Sequence, residues 1–178
     1  MLKTLSNKYI LLFSMTMTLI MFTVVIFIVN PLIDKQGGIS VLQLQLAFDK
    51  QVAINIVNSW GTYGIENFNE LIFTDYIYAF SYSLFFASLF SYLLIKSEKH
   101  NHKAYKWLIV LAFTAGLLDW IENSLELFFI NNQQTFSDTL FFTHSIIASL
   151  KWLAFPIVII YIVTLLLQKD NAIRFKES

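Results

Sequence analysis

No cysteine occurs anywhere in the 178 residues. Disulfides, thiol nucleophiles, zinc–thiolate sites and the quinone-linked thiol oxidation performed by some four-helix membrane enzymes are therefore excluded. Charge is scarce too. Asp, Glu, Lys and Arg make up 13% of the chain, against about 25% in soluble proteins, and they cancel to a formal net charge of zero. Without a basic face to displace counterions from phosphates, nucleic acid is not an expected partner. Histidine occurs three times. His100 and His102 flank Asn101 in a lysine-rich stretch with no third ligand beside them, so they read as solvated side chains, not as a metal site or a nuclease signature. No cofactor and no metal are expected. Internal repeats and low-complexity tracts are also missing.

What is present in excess is apolar surface: 57% of the residues are hydrophobic. A soluble domain of this size already leaves more than half its surface apolar and could not bury so large a surplus, whereas lipid can. Four runs are long enough to cross a bilayer as helices: Tyr9 to Val29, Leu71 to Ile95, Trp107 to Ile130 and Leu140 to Leu167. The first is too long for the core of a cleavable signal and lacks small residues at its end, so it reads as a retained helix stopped by Asn30 and Pro31. Pro156 is expected to kink the fourth. One all-α membrane domain, a four-helix bundle spanning residues 1–178, is the expected fold.

Lysine and arginine set the orientation. Lys3 and Lys8 precede the first run, Lys96, Lys99, Lys103 and Lys106 lie between the second and third, and Lys169, Arg174 and Lys176 follow the fourth; the opposite loops hold only Lys35 and Lys50. Both termini are expected on the cytoplasmic side of a bacterial inner (plasma) membrane, with Pro31 to Glu70 and Asn131 to Asp138 outside. Within the first outer loop, Val41, Leu44, Phe48, Val52, Ile56 and Trp60 recur at helical spacing, which predicts an amphipathic interfacial helix over 41–60. Gly37 and Gly38 before it, and Gly61 and Gly64 after it, punctuate its ends. Such a helix either caps the bundle or covers a site.

The ionisable residues inside the runs carry the functional signal, because each costs roughly 2.5 to 3.5 kcal/mol at bilayer depth. Asp119, Glu122, Asn123 and Glu126 fall at i, i+3, i+4 and i+7 on one helical face, and His144 and Lys151 lie a heptad apart with Ala148 between them. Counted from the shared outer loop at 1.5 Å per residue, Glu126 and His144 lie roughly 6 Å deep and Asp119 and Lys151 roughly 16 Å deep, near the middle of a core about 30 Å thick. Lys151 is expected to pair with Asp119 or Glu122, and His144 with Glu126. Three acids facing one lysine and one histidine balance only if a carboxyl keeps its proton. Asp75, Tyr78 and Tyr82 share a face of the second run, beside Ser81 and Ser83, and could close the cluster from a third side. Tyr76 and Tyr78 also fit an interfacial aromatic belt.

Gly61-Thr62-Tyr63-Gly64, Thr74-Asp75-Tyr76-Ile77-Tyr78, Asp119-Trp120-Ile121-Glu122-Asn123 and Leu150-Lys151-Trp152 together resemble small, uncharacterised bacterial four-span proteins. In these, an Asp opens span two, Asp-x-x-Glu-Asn lies in span three and a Lys lies in span four. The resemblance covers about two thirds of the chain. It implies that Asp75, Asp119, Glu122, Asn123 and Lys151 form the cluster of interest and implies no activity; Glu126 and His144 lie outside its pattern.

Three functions follow in order. A carrier or proton-linked transporter component would use the acid–lysine cluster to bind a small polar solute, and four spans would then require a homo-oligomer. A membrane-embedded enzyme acting on a lipid or isoprenoid would use Asp119 or Glu122 as acid or base and Lys151 as electrostatic partner. A scaffold would use the same charges to specify partner helices, and would survive replacement of Lys151 by Met with Asp119 by Leu. A pocket reaching both lipid and carboxylates favours the enzyme; one open only to water favours the carrier.

Overall fold

In the computed structural model, which describes residues 2–34, 39–96 and 103–177, with side chains placed through 166 except at 103–105, helices account for nearly all of the chain and no strand occurs among the described residues. In order they are α1 (Leu2–Leu5), α2 (Lys8–Val24), a π-helical turn (Val25–Val29), α3 (Asn30–Ile33), α4 (Ile39–Gln45), α5 (Lys50–Lys96), α6 (Lys103–Asn131) and α7 (Asp138–Glu177). Four stretches are long and apolar enough to cross a membrane: Lys8–Ile33, Lys50–Lys96, Lys106–Asn131 and Asp138–Leu166. Gly37, Gly38, His100, Asn101 and His102 lie outside the described residues.

Two boundaries differ from the expectation for physical reasons. Asn30 and Pro31 do not stop the first helix. The Asn30 amide instead bonds five residues back to the Val25 carbonyl, and this wide turn accommodates Pro31, which has no amide to donate, so that the helix continues to Ile33. The amphipathic stretch 41–60 is not one helix. It breaks after Gln45, Phe48 takes a positive φ of 53°, and Asp49 starts a new helix by accepting the Val52 amide at 2.9 Å on its carboxylate, as a helix N-cap does. That helix runs through Trp60, turns at Gly61 (φ 67°) and continues to Lys96. Only glycine adopts such a φ at little cost. At Pro156 the fourth helix persists on both sides.

The polar and apolar residues are distributed inside out. Leu12, Phe13, Phe27, Phe73, Leu153 and Ile160 point outward and are more than half exposed, while Asp119, Glu122, Asn123, Glu126, His144 and Lys151 are buried. This is the distribution that a lipid solvent rewards and water penalises. The long helices pack in sequence order: α2 on α5, α5 on α6, α6 on α7, with a smaller contact between α5 and α7. Among the described residues α2 and α7 have no substantial interface, so the arrangement is an arc with a seam between its first and last members.

Two apolar layers bracket the middle. Near the α6–α7 turn, Trp60, Phe68, Phe129, Phe136 and Phe141 join Leu44 and Val57; at the other end Phe90, Leu94, Ile109 and Val158 pack together. Close approach of α5 and α6 depends on Gly116. A Cβ there would overlap the Ser83 hydroxyl and come within 3.0 Å of the Ala79 carbonyl oxygen. Toward the turn, the amides of Asn69 and Asn131 bond each other reciprocally at 2.8 and 3.3 Å. Ser137 then caps α7 through the Leu140 amide at 3.2 Å, fixing where the antiparallel α7 begins and therefore which of its residues meet the acids of α6.

Candidate functional site

Between the two apolar layers, α5, α6 and α7 bring the polar residues together. Lys151 on α7 reaches two acids on α6: its Nζ donates to Asp119 Oδ1 at 3.1 Å and pairs with Glu122 Oε2. The other oxygen of Asp119, Oδ2, accepts the Tyr82 hydroxyl at 2.8 Å; the same hydroxyl lies 3.2 Å from the Ala115 carbonyl. Asp119 is thus held from both sides, by a cation on α7 and a phenol on α5, and all three groups are nearly inaccessible. Ala148, between His144 and Lys151, is fully buried and leaves room for the acids to approach α7.

Asp75 stands apart from this pairing. Its Oδ2 accepts the Asn123 side-chain amide at 3.0 Å. The Asn123 carbonyl oxygen has no partner. One turn toward the α6–α7 loop, His144 Nε2 lies 3.4 Å from Glu126 Oε1, with both side chains buried. Neither ring nitrogen of His144 makes a hydrogen bond, and Glu122 Oε1 and Glu126 Oε1 make none. Glu122, Glu126 and His144 therefore present ligand-type atoms within 4.8 Å of one another. The i, i+4 spacing of the two glutamates and the approach of His144 to Glu126 were both legible in the sequence; the approach of Glu122 to the same histidine was not, because counting levels along two helices does not give side-chain directions.

The second run contributes unequally. Tyr82 is part of the cluster, whereas Ser81 and Ser83 return their hydroxyls to the carbonyls of Tyr78 and Ala79 on their own helix, at 2.8 and 2.7 Å, and do not close the cluster. Tyr78 meets Tyr82 edge-on at 5.3 Å. Tyr76 turns to the far side of α6, bonding Ser124 at 2.7 Å.

A cavity of about 550 Å³ opens beside the cluster, within the roughly 300 to 1,000 Å³ of small-molecule sites. Phe22, Val25 and Val29 of the first span, Phe68 and Ile72 of α5, Phe155 of α7 and Leu42 of α4 line its apolar part. Asp75, Tyr78, Tyr82, Asp119, Glu126 and Lys151 all border its polar part. Both helices that flank the seam contribute to this lining, together with α4 and α5. Gln45 of α4 accepts the Trp152 indole N–H at 3.0 Å, tying the short helix across to α7. Sequence periodicity could not show this cavity, because it exists between helices distant in the chain. No protein-family model matches the chain, and no curated protein or solved structure matches it significantly.

Proposed function

We propose that the chain is a multi-pass inner-membrane protein, with both termini cytoplasmic and a polar cluster within the bilayer, that takes a lipid-like amphiphile sideways into its cavity and exchanges protons with its head group. The observation that carries this reading is the cavity itself: apolar walls along the seam between α2 and α7 lead to Asp75, Asp119 and Lys151. An acyl or isoprenoid chain fits such walls, whereas a small polar solute gains nothing from Phe22, Val25 and Phe155. The lipid-directed enzyme therefore ranks above the carrier.

The roles divide by partner. Lys151 and Tyr82 fix Asp119, so that Asp119 and Lys151 form a stationary dipole. Asp75 borders the cavity and receives its hydrogen bond from a neutral amide. It is the carboxyl placed to give or take a proton at the ligand. The lysine and arginine distribution supports the orientation, and the outward apolar surface supports insertion. The α4 segment serves as a cavity wall at the outer interface.

The test is mass spectrometry of lipids retained by the protein after purification in mild detergent. One amphiphile class is expected at about one molecule per chain. Val25→Trp, which fills the cavity, removes it; Val110→Trp, on the outward face, does not. Asp75→Asn retains the ligand and loses its conversion. Equal retention by the two tryptophan variants, or no selective retention by the wild type, rejects the proposal.

A further inference from the structure

The geometry points to a first-row divalent metal site formed by Glu122, Glu126 and His144, separate from the Asp75 proton site and independent of what the cavity binds. Three observations converge on it. First, the donor atoms are buried and unused: Glu122 Oε1, Glu126 Oε1 and both nitrogens of His144 have no hydrogen-bond partner, on side chains no more than 1% exposed. Buried polar atoms are nearly always satisfied, and a cluster of orphans turned toward one another marks a missing central partner. Here four such atoms fall on three side chains from two helices.

Second, the spacing fits. The three ligating atoms lie within 4.8 Å of one another, and His144 Nε2 is 3.4 Å from Glu126 Oε1. Ligands bound at about 2.1 Å around a tetrahedral ion lie about 3.4 Å apart, which matches the distance between His144 Nε2 and Glu126 Oε1, and Glu122 offers its atom within 4.8 Å of both residues' ligand atoms. Three protein ligands leave a further coordination position open. Glu126 borders the cavity, so that position is approachable from it. Two carboxylates with one imidazole and no sulfur suit Mn²⁺, Fe²⁺ or Zn²⁺.

Third, the charges ask for it. Asp75, Asp119, Glu122 and Glu126 place four carboxylates around the single ammonium of Lys151, an excess of three negative charges when all are ionised. A divalent cation cancels two of them. Protons could neutralise the same carboxyls, and one shared between Glu126 and His144 Nε2 would bridge their 3.4 Å contact, but it would leave Glu122 Oε1 without a partner. Lys151 holds Glu122 through Oε2, which leaves Oε1 for the metal and fixes the carboxylate's orientation, as outer partners of metal ligands commonly do.

The experiment uses the full chain in detergent, stripped with chelator, reloaded with Co²⁺ alone and desalted. Elemental analysis and the visible d–d absorption give stoichiometry and ligand field. One Co²⁺ per chain is expected. His144→Ala and Glu126→Gln are each expected to weaken binding at least tenfold, while the double variant His100→Ala with His102→Ala binds as the wild type does. A wild-type protein that retains less than about a tenth of an equivalent overturns the site, as does loss of binding in the loop double variant. Should His144→Ala fail to fold, X-ray absorption of the Co²⁺-loaded loop double variant decides. His144 is then the one histidine left, so an imidazole in the coordination shell supports the site and an all-oxygen shell overturns it.

Discussion

Replacing Lys151 by Met is the sharpest perturbation of the cluster. The ammonium is 3.1 Å from Asp119 and also pairs with Glu122, and the three side chains are 5%, 5% and 0% exposed. Methionine preserves much of the volume, so packing loss is small and the cost is electrostatic: two buried acids lose their cation together. Removing one partner of a buried pair costs about 3 to 5 kcal/mol. For a chain of this length, where 1 kcal/mol moves the midpoint by about 2 to 4 °C, the melting temperature in detergent should fall by roughly 6 to 20 °C. The triple variant Lys151→Met, Asp119→Asn, Glu122→Gln removes the charges as a set and should recover most of that loss, to within about 2 kcal/mol of the wild type. The assay is thermal unfolding followed by intrinsic tryptophan fluorescence, with monodispersity checked by gel filtration. A single variant as stable as the wild type would mean that the acids gain nothing from Lys151. A triple variant no better than the single would show that the loss is one of shape, refuting the electrostatic account.

Three further outcomes follow from the geometry. Tyr82→Phe leaves Asp119 Oδ2 without its 2.8 Å donor and should destabilise the protein by about 1 to 3 kcal/mol; the same unfolding assay should show no change if water replaces the phenol. Gly116→Ala forces α5 from α6 against the Ala79 carbonyl and Ser83, at a cost of about 1 to 3 kcal/mol; a melting point unchanged from wild type would show that Ser83 simply rotates away. Asp49→Ala removes the cap on the Val52 amide and should cost about 1 kcal/mol, read as faster hydrogen exchange in the first turn after Asp49, with exchange near Asp119 unchanged.

The long helices and the acidic ladder were legible because both depend on local periodicity. A run of apolar residues long enough to cross a bilayer declares itself, and Asp119, Glu122, Asn123 and Glu126 share a face by arithmetic alone. The antiparallel levels of Lys151 and His144 followed from counting outward from one short turn, and the structure brings Lys151 to both Asp119 and Glu122. The cavity was illegible, since its walls come from Val25 and Phe155, which no periodicity connects. Some misses did have a local signal. Asp49 is a common helix-capping residue, and its presence inside the stretch 41–60 argued for two helices. Serine in a helix readily returns its hydroxyl to its own backbone, so Ser81 and Ser83 were weak candidates for the cluster. Pro31 misled in the opposite direction, because a π turn one step before it allowed the helix to go on.

The open seam separates two jobs mechanically. Every ionisable member of the cluster is carried by α5, α6 or α7, and the first span lines the cavity with Phe22, Val25, Val29 and Asn30, none of them ionisable. Moving α2 outward therefore widens the entrance without stretching a single ion pair, and what it gives up is contact with α5, which lipid tails can replace. On the proposed lipid entry, passage would be set by a rod that carries none of the cluster's charges, while the charges it leads to stay fixed by three others.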